Sequence, residues 1–283
     1  MQKSSFGVKI PAVEKFGAKI PKLGLGTWEL RGQACAEIVS AALHLGYTHV
    51  DTAQGYANEE AVGEGLQASS IRREDVFITT KVQPQQMGDG NLQRSVETSL
   101  KKLRVSQIDL LLLHWPNPQI PLADSIRALN QVKREGLVKN IGLSNFTTTL
   151  LDAAWNLTTE PFAAEQMELH PYLDQSKMLE ALRARGMAII AYCPIALGKV
   201  ASDPVIKAIA ETHGRSAVQV SLRWLVQQPD IIAIPRTSKV SRLAENLTVF
   251  DLALSEIEMT EMNALKRPGS RLINEPQWVP QWD

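Results

Sequence analysis

The 283-residue sequence has little cysteine, no net charge and no long apolar run, and each shortage removes a class of protein. Cys35 and Cys193 are the only cysteines, and they form no Cys-x-x-Cys pair. That excludes a disulfide framework and points to a reducing compartment. Thirty basic residues cancel thirty acidic ones, so the positive footprint of a nucleic-acid binder is missing. Arg72-Arg73 and Lys101-Lys102 read as solvated helix surface. The most strongly apolar run, Leu110 to Leu113, is far too short to span a bilayer. His44, His49, His114, His170 and His213 show neither His-x-His nor His-x-x-x-His spacing, so no metal site is expected. The opening Met-Gln-Lys-Ser-Ser-Phe-Gly lacks the apolar centre of a signal peptide. Together these readings predict a cytoplasmic protein with no nucleic-acid or membrane partner. Neutral charge and short loops fit a monomer.

What is present is an ordinary globular composition, 44% hydrophobic and 21% charged. A chain of this length buries most of its surface without covalent staples. Near the start, Val8-Lys-Ile and Ala18-Lys-Ile are expected to pair as a hairpin, with turn signals at Gly7 and Gly17. Apolar runs then alternate with helical patterns. The runs predict strands over 22–28, 48–52, 76–82, 108–115, 138–144, 163–169, 188–194 and 231–235. Helices are predicted over 33–45, 59–68, 91–103, 123–135, 148–156, 176–185, 204–213, 217–228, 240–247 and 255–265. Three of them stop at Gly46, Gly136 and Gly186, as left-handed caps do, and the last opens on a Ser255/Glu258 capping box.

The strands are near-continuous apolar runs, the mark of a sheet covered on both faces. Eight strand–helix units predict an α/β fold, a (β/α)₈ TIM barrel that uses residues 1–283 as one domain. An open doubly wound sheet is the alternative, but no Gly-x-Gly-x-x-Gly follows any strand. Leu23-Gly-Leu-Gly-Thr-Trp28 supplies only two glycines. The tail from Pro268 to Asp283 carries Trp278 and Trp282 and is expected to pack over the barrel mouth.

Polar residues close the apolar runs. Asp51, Lys81 and His114 each end a predicted strand, and Tyr56 lies on the loop after the second. In a parallel barrel these ends share one face, where active sites lie. A lysine there loses hydration and needs a counter-ion, for which Asp51 is the natural candidate. An ammonium beside Tyr56 would favour the phenolate and lower its pKa. A phenol so placed can protonate a carbonyl oxygen as it becomes an alkoxide, with His114 orienting that carbonyl. Taken singly, Asp51 caps a turn, Lys81 snorkels and His114 is a core histidine. Their convergence argues otherwise.

The ordered motifs resemble the aldo-keto reductases over essentially the whole chain. They are Leu23-Gly-Leu-Gly-Thr-Trp28, Asp51-Thr-Ala-Gln-Gly-Tyr56-Ala-Asn-Glu59, Thr79-Thr-Lys81, Leu113-His-Trp-Pro116 and Gly142-Leu-Ser-Asn-Phe146. They continue with Glu165-Gln-Met-Glu-Leu-His-Pro171, Ala191-Tyr-Cys-Pro194 and Ile234-Pro-Arg236, followed by Arg242 and Glu245-Asn246. The short loops and the C-terminal segment from Arg271 are similar to the bacterial 2,5-diketo-D-gluconate and methylglyoxal reductase group. The resemblance implies an NADP(H)-dependent oxidoreductase that reduces aldehydes, α-ketoaldehydes such as methylglyoxal, or keto sugars such as 2,5-diketo-D-gluconate. It makes Tyr56 the proton donor, tuned by Lys81 and Asp51. It places the nicotinamide against Ser144, Asn145 and Gln166, with Tyr192 stacked on the ring, and adds Thr27, Pro194 and Leu197 to the cofactor contacts. Arg236, Thr237, Ser238 and Arg242 would hold the 2′-phosphate, with Glu245 and Asn246 near the adenine. Trp28, Trp115 and Trp278 would wall the substrate pocket.

Two positions depart from the family pattern. Cys193 stands where serine is usual and is expected to pack rather than react. Arg236 replaces the usual lysine, keeping the charge but adding a planar fork. Two other functions remain open at this point: a lyase using Lys81 as a Schiff-base nucleophile, and a non-catalytic cofactor-sensing subunit.

Overall fold

The computed structural model describes residues 9–283. Its hairpin pairs β1 (Ala12–Lys15) with β2 (Ala18–Pro21), Lys15 opposite Ala18. The expected first strand began at Val8, which lies outside the described residues with Gly7, and the pairing segment is four residues further on. Phe16 and Gly17 both adopt positive φ, 49° and 83°. A two-residue turn of that hand matches strand twist, so the paired strands must flank it directly.

Eight parallel strands follow: β3 (Leu25–Gly26), β4 (His49–Asp51), β5 (Phe77–Val82), β6 (Ile108–Leu113), β7 (Val138–Ser144), β8 (Phe162–Glu168), β9 (Ala188–Tyr192) and β10 (Ile231–Ala233). They hydrogen-bond in that order in one sheet. The helices are α1 (Gly32–Leu45), α2 (Glu59–Ala68), α3 (Asn91–Leu103), α4 (Leu122–Arg134), α5 (Thr148–Leu157), α6 (Ser176–Ala184), α7 (Pro204–His213), α8 (Ala217–Gln227), α9 (Val240–Leu247) and α10 (Glu256–Asn263). All eight predicted strands are found, several shorter than expected. β10 stops early because Pro235 has no N–H to donate. β9 stops at Tyr192 because Cys193 turns left-handed, φ 52°. A 3-10 stretch, Ala196–Ser202, was not foreseen; Leu197 and Gly198 break its periodicity with positive φ.

The outer strands of the sheet approach each other. Parallel bridges link Leu23 to Ala233 and Gly26 to Arg236, with Gly24 N donating to Ala233 O at 2.9 Å and Gly26 N to Pro235 O at 3.1 Å. The two glycines of Leu23-Gly-Leu-Gly explain this approach. A Cβ on Gly26 would sit 2.7 Å from the Ile234 carbonyl oxygen, and one on Gly24 2.6 Å from the His49 ring. They serve close packing, not a phosphate turn.

Side chains fall into two layers. Leu110, Leu112, Ala164, Ala188, Ile190 and Ile232 fill the inner face, closed at one end by Val13 and Ile20 of the hairpin. A larger cluster lies between sheet and helices. No helix among the described residues is long and apolar enough to cross a membrane.

His49 lies fully buried in the inner layer, Nε2 at 3.0 Å from Thr79 Oγ1. Burial lowers its pKa from 6.5 to about 4, against the opposing pull of Asp51. The unfolded chain therefore binds a proton between these values that the folded chain refuses. Stability is fully present above pH 6.5 and falls as pH drops toward about 4, by about 3 kcal/mol for this group alone. Buried Glu59 and Glu165 have raised pKa values and oppose this slope, so the comparison needs a variant. Urea unfolding of His49→Asn and wild type at pH 7 and 4.5 should show a flatter acid loss in the variant. Equal losses would remove His49 from this role.

Candidate active site

Side chains alternate along a strand, so register decides which polar residues meet. Asp51 pairs with Thr79 and Lys81 with Leu112. Asp51, Lys81 two residues beyond its partner, and His114 two beyond Leu112 therefore face the same side. Tyr56 is delivered to them by a 3-10 turn, Gln54–Tyr56.

The Lys81 ammonium is fully buried and donates to Asp51 Oδ1 at 2.6 Å, Thr52 O at 2.8 Å and the Tyr56 hydroxyl at 3.4 Å. Burial alone would lower its pKa. Asp51 and Tyr56 together outweigh burial and hold its pKa above the ordinary lysine value. The Tyr56 phenol moves opposite to the sequence-based expectation. Burial raises its pKa, and the nearby Lys81 charge offsets this only in part. The residue is thus an intact proton donor at neutral pH. The His114 ring meets Tyr56 edge-on, centroids 5.6 Å apart. Burial and, to a lesser degree, Lys81 hold its pKa well below the usual histidine value, leaving a neutral imidazole with one N–H to donate.

The other Asp51 oxygen, Oδ2, accepts from Gln166 Nε2 at 2.7 Å. Gln166 was expected only as a cofactor contact, and this link between β4 and β8 has no local signal in the sequence. Ser144, Asn145 and Tyr192 gather beside it. Asn145 Nδ2 donates to His114 O at 2.9 Å and Ser144 Oγ at 3.1 Å, and Asn145 Oδ1 accepts from the Tyr192 hydroxyl at 2.7 Å.

Several supporting residues went unrecognised although they lie within the quoted motifs. Gln54 receives Gln83 N and donates to Ser95 and Ser99, fixing the turn that carries Tyr56. Asn58 ties Thr52 to the carbonyls of Thr27 and Leu30. Glu59 accepts from Thr80 and Ser99 behind Lys81. A run of amides and carboxylates beginning at Asp51 was the available signal.

The expected cofactor residues divide into two groups. Thr27 is buried with its hydroxyl donating to Asp51 O at 3.0 Å, and Pro194 is buried with its carbonyl accepting from Ser221. The Thr237 hydroxyl accepts the Lys239 N–H at 3.0 Å, Glu245 accepts from Ser216 at 2.6 Å, and Asn246 is buried. Arg236, Ser238 and Arg242 are exposed, and Arg242 has no ion pair among the described residues. Trp28, Leu197 and Val240 are large apolar side chains left 42%, 59% and 51% exposed.

The tail does cross the polar edge of the sheet. Leu272 N and Ile273 N donate to the Glu168 carboxylate, and the Asp283 carboxylate accepts from Thr148 N and Oγ1. The tail aromatic that meets Trp115 is Trp282, centroids 6.0 Å apart; Trp278 is half-buried. Arg271 lies 3.5 Å over the Trp282 ring and braces it.

A curved parallel α/β sheet with a buried Lys–Asp pair and a phenol at its C-terminal edge defines the class to which such a site belongs. Residues 22–267 match the Aldo/keto reductase family, and the chain belongs to it. It is 38% identical over 267 residues to methylglyoxal reductase DkgB of Yersinia pestis, covering 93% of this chain and 99% of that protein. A structure provisionally named 2,5-diketo-D-gluconic acid reductase B superposes with a TM-score of 0.95 at 46% identity, covering 97% of this chain and 98% of that one. A variant of Gox0644 solved in complex with NADPH superposes with a TM-score of 0.89 at 35% identity, covering 95% and 98%.

Proposed function

We propose that this chain is an NADP(H)-dependent reductase of carbonyl groups, acting as a monomer whose single domain closes into an eight-stranded barrel. The bridges between the outer strands support closure. The observation that carries the function is the Lys81 ammonium wedged between Asp51 and the Tyr56 hydroxyl, at 2.6 and 3.4 Å.

The residues fit an anionic dinucleotide. Exposed Arg236 and Ser238 lead into α9, exposed Arg242 lies in its first turn, and exposed Trp28, Leu197 and Val240 offer apolar surface for planar rings. Ser144, Asn145, Gln166 and Tyr192 would hold the nicotinamide end. When bound, NADPH supplies the hydride. The protein does the rest: the neutral His114 ring donates a hydrogen bond to the carbonyl oxygen and orients it. Tyr56 delivers its proton to that oxygen as negative charge builds there. Lys81 stabilises the phenolate left behind, and Asp51, fixed by Gln166, keeps Lys81 charged. Trp28, Trp115 and Trp278, with Trp282 seated against Trp115, would wall a pocket suited to small aldehydes, α-ketoaldehydes such as methylglyoxal, and keto sugars such as 2,5-diketo-D-gluconate. The activities for which the related proteins are named point the same way.

A Schiff-base role for Lys81 needs a neutral amine, and the raised pKa of Lys81 counts against it. The complete Tyr56–Lys81–Asp51–Gln166 chain favours an enzyme over a sensing subunit. NADPH consumption should be measured with methylglyoxal, an aromatic aldehyde and 2,5-diketo-D-gluconate, with NADH in parallel. We expect turnover on at least one carbonyl and higher kcat/KM with NADPH. Failure to oxidise NADPH with any of the three would overturn the proposal.

A further inference from the structure

Arg236 already has partners on the loop after β3. Its Nε donates to Trp28 O at 3.1 Å and its Nη2 pairs with Glu29 Oε2 at 3.2 Å. Nε and Nη2 form the side-on edge of the guanidinium, one of two that can grip a phosphate with two parallel hydrogen bonds. The loop after β3 already holds that edge. Lysine, with a single ammonium, could not make this fork. Glu29 itself sits at positive φ, 62°, a costly backbone for a residue other than glycine. Lys239 and Arg242, the neighbouring cations, have no ion pair among the described residues, so Arg236 alone in this group is neutralised. Both partners are about half exposed, side chains 42% and 53% accessible, so the pair can open.

We propose that Glu29 sets how strongly this chain prefers a phosphorylated dinucleotide, by competing with the ligand's phosphate for the Arg236 guanidinium. The inference rests on the proposed binding of NADP(H) at this edge. A 2′-phosphate takes the side-on two-bond geometry only by displacing Glu29, and at the Nη1/Nη2 edge it meets a guanidinium whose charge Glu29 already offsets. A dinucleotide without that phosphate leaves the pair closed and is indifferent to it. Glu29 is therefore a specificity-determining residue that weakens NADPH binding and leaves NADH binding nearly untouched.

The test is a double-mutant cycle read by dissociation constants, from quenching of intrinsic fluorescence, for wild type, Glu29→Gln, Arg236→Gln and the double variant. Glu29→Gln should bind NADPH about two- to fivefold more tightly, the range an exposed ion pair can supply, and NADH within about 1.5-fold of wild type. In the Arg236→Gln background the same substitution should change nothing. Three results would overturn the proposal: an unchanged NADPH constant, equal tightening for NADH, or a gain that persists without Arg236. The last would mark a general field effect of removing a carboxylate. Wild type that binds neither nucleotide would bring down the cofactor assignment and this inference with it. Wild type that binds NADPH, with Glu29→Gln indistinguishable from it, would remove only Glu29.

Discussion

Tyr56→Phe is expected to slow carbonyl reduction by about 10³-fold, roughly 4 kcal/mol of barrier, while NADPH binding stays within about twofold of wild type. The substitution removes one oxygen. The ring can keep its edge-on contact with His114, and Lys81 keeps Asp51 and Thr52 as acceptors. The loss should therefore fall on kcat, the signature of an interaction made in the transition state. The pH profile gives a second reading. A donor must hold its proton, and burial raises the Tyr56 pKa despite Lys81. Reduction should run level through neutral pH and decline only as pH rises past the ordinary tyrosine range. A decline centred well below pH 10, or kcat in Tyr56→Phe within tenfold of wild type, would take the proton-donor role from Tyr56.

The second large effect concerns stability as well as rate. Lys81→Met leaves the Asp51 carboxylate buried beside Gln166 with no cation, and Asp51→Asn leaves the ammonium without its counter-charge. Breaking a buried pair from one side costs about 3–5 kcal/mol. Each single variant should lose stability on that scale in urea unfolding and lose nearly all activity. Asp51→Asn combined with Lys81→Met removes both charges and should recover more than half of the lost stability without recovering activity. Additive losses in the double variant would show that the two groups do not act as a pair.

Much of this architecture is legible along the chain because its signals are local. Helices α2, α3, α7 and α9 fall where hydrophobic period and caps predict them, and Ser255 and Glu258 form their capping box. Strand ends are less legible. Pairing partners and left-handed residues such as Cys193 trim strands in ways no single segment announces. The second strand of the hairpin starts at Ala18 as expected, but the first lies four residues later than expected because Phe16, which shares the turn with Gly17, carries no turn signal of its own.

The sequence by itself determined that three successive apolar runs carry Asp51, Lys81 and His114 at their downstream ends, and a parallel arrangement gathers such ends at one edge of a sheet. Only the tertiary structure decided what those groups experience. Gln166 reaches Asp51 across 115 residues, Glu29 meets Arg236 across 207, and Trp282 of the tail comes to lie against Trp115. The direction of the Tyr56 shift belongs with these. Coulomb attraction to Lys81 can be foreseen from neighbouring strands, but desolvation depends on everything that surrounds a site, and here desolvation is the larger effect.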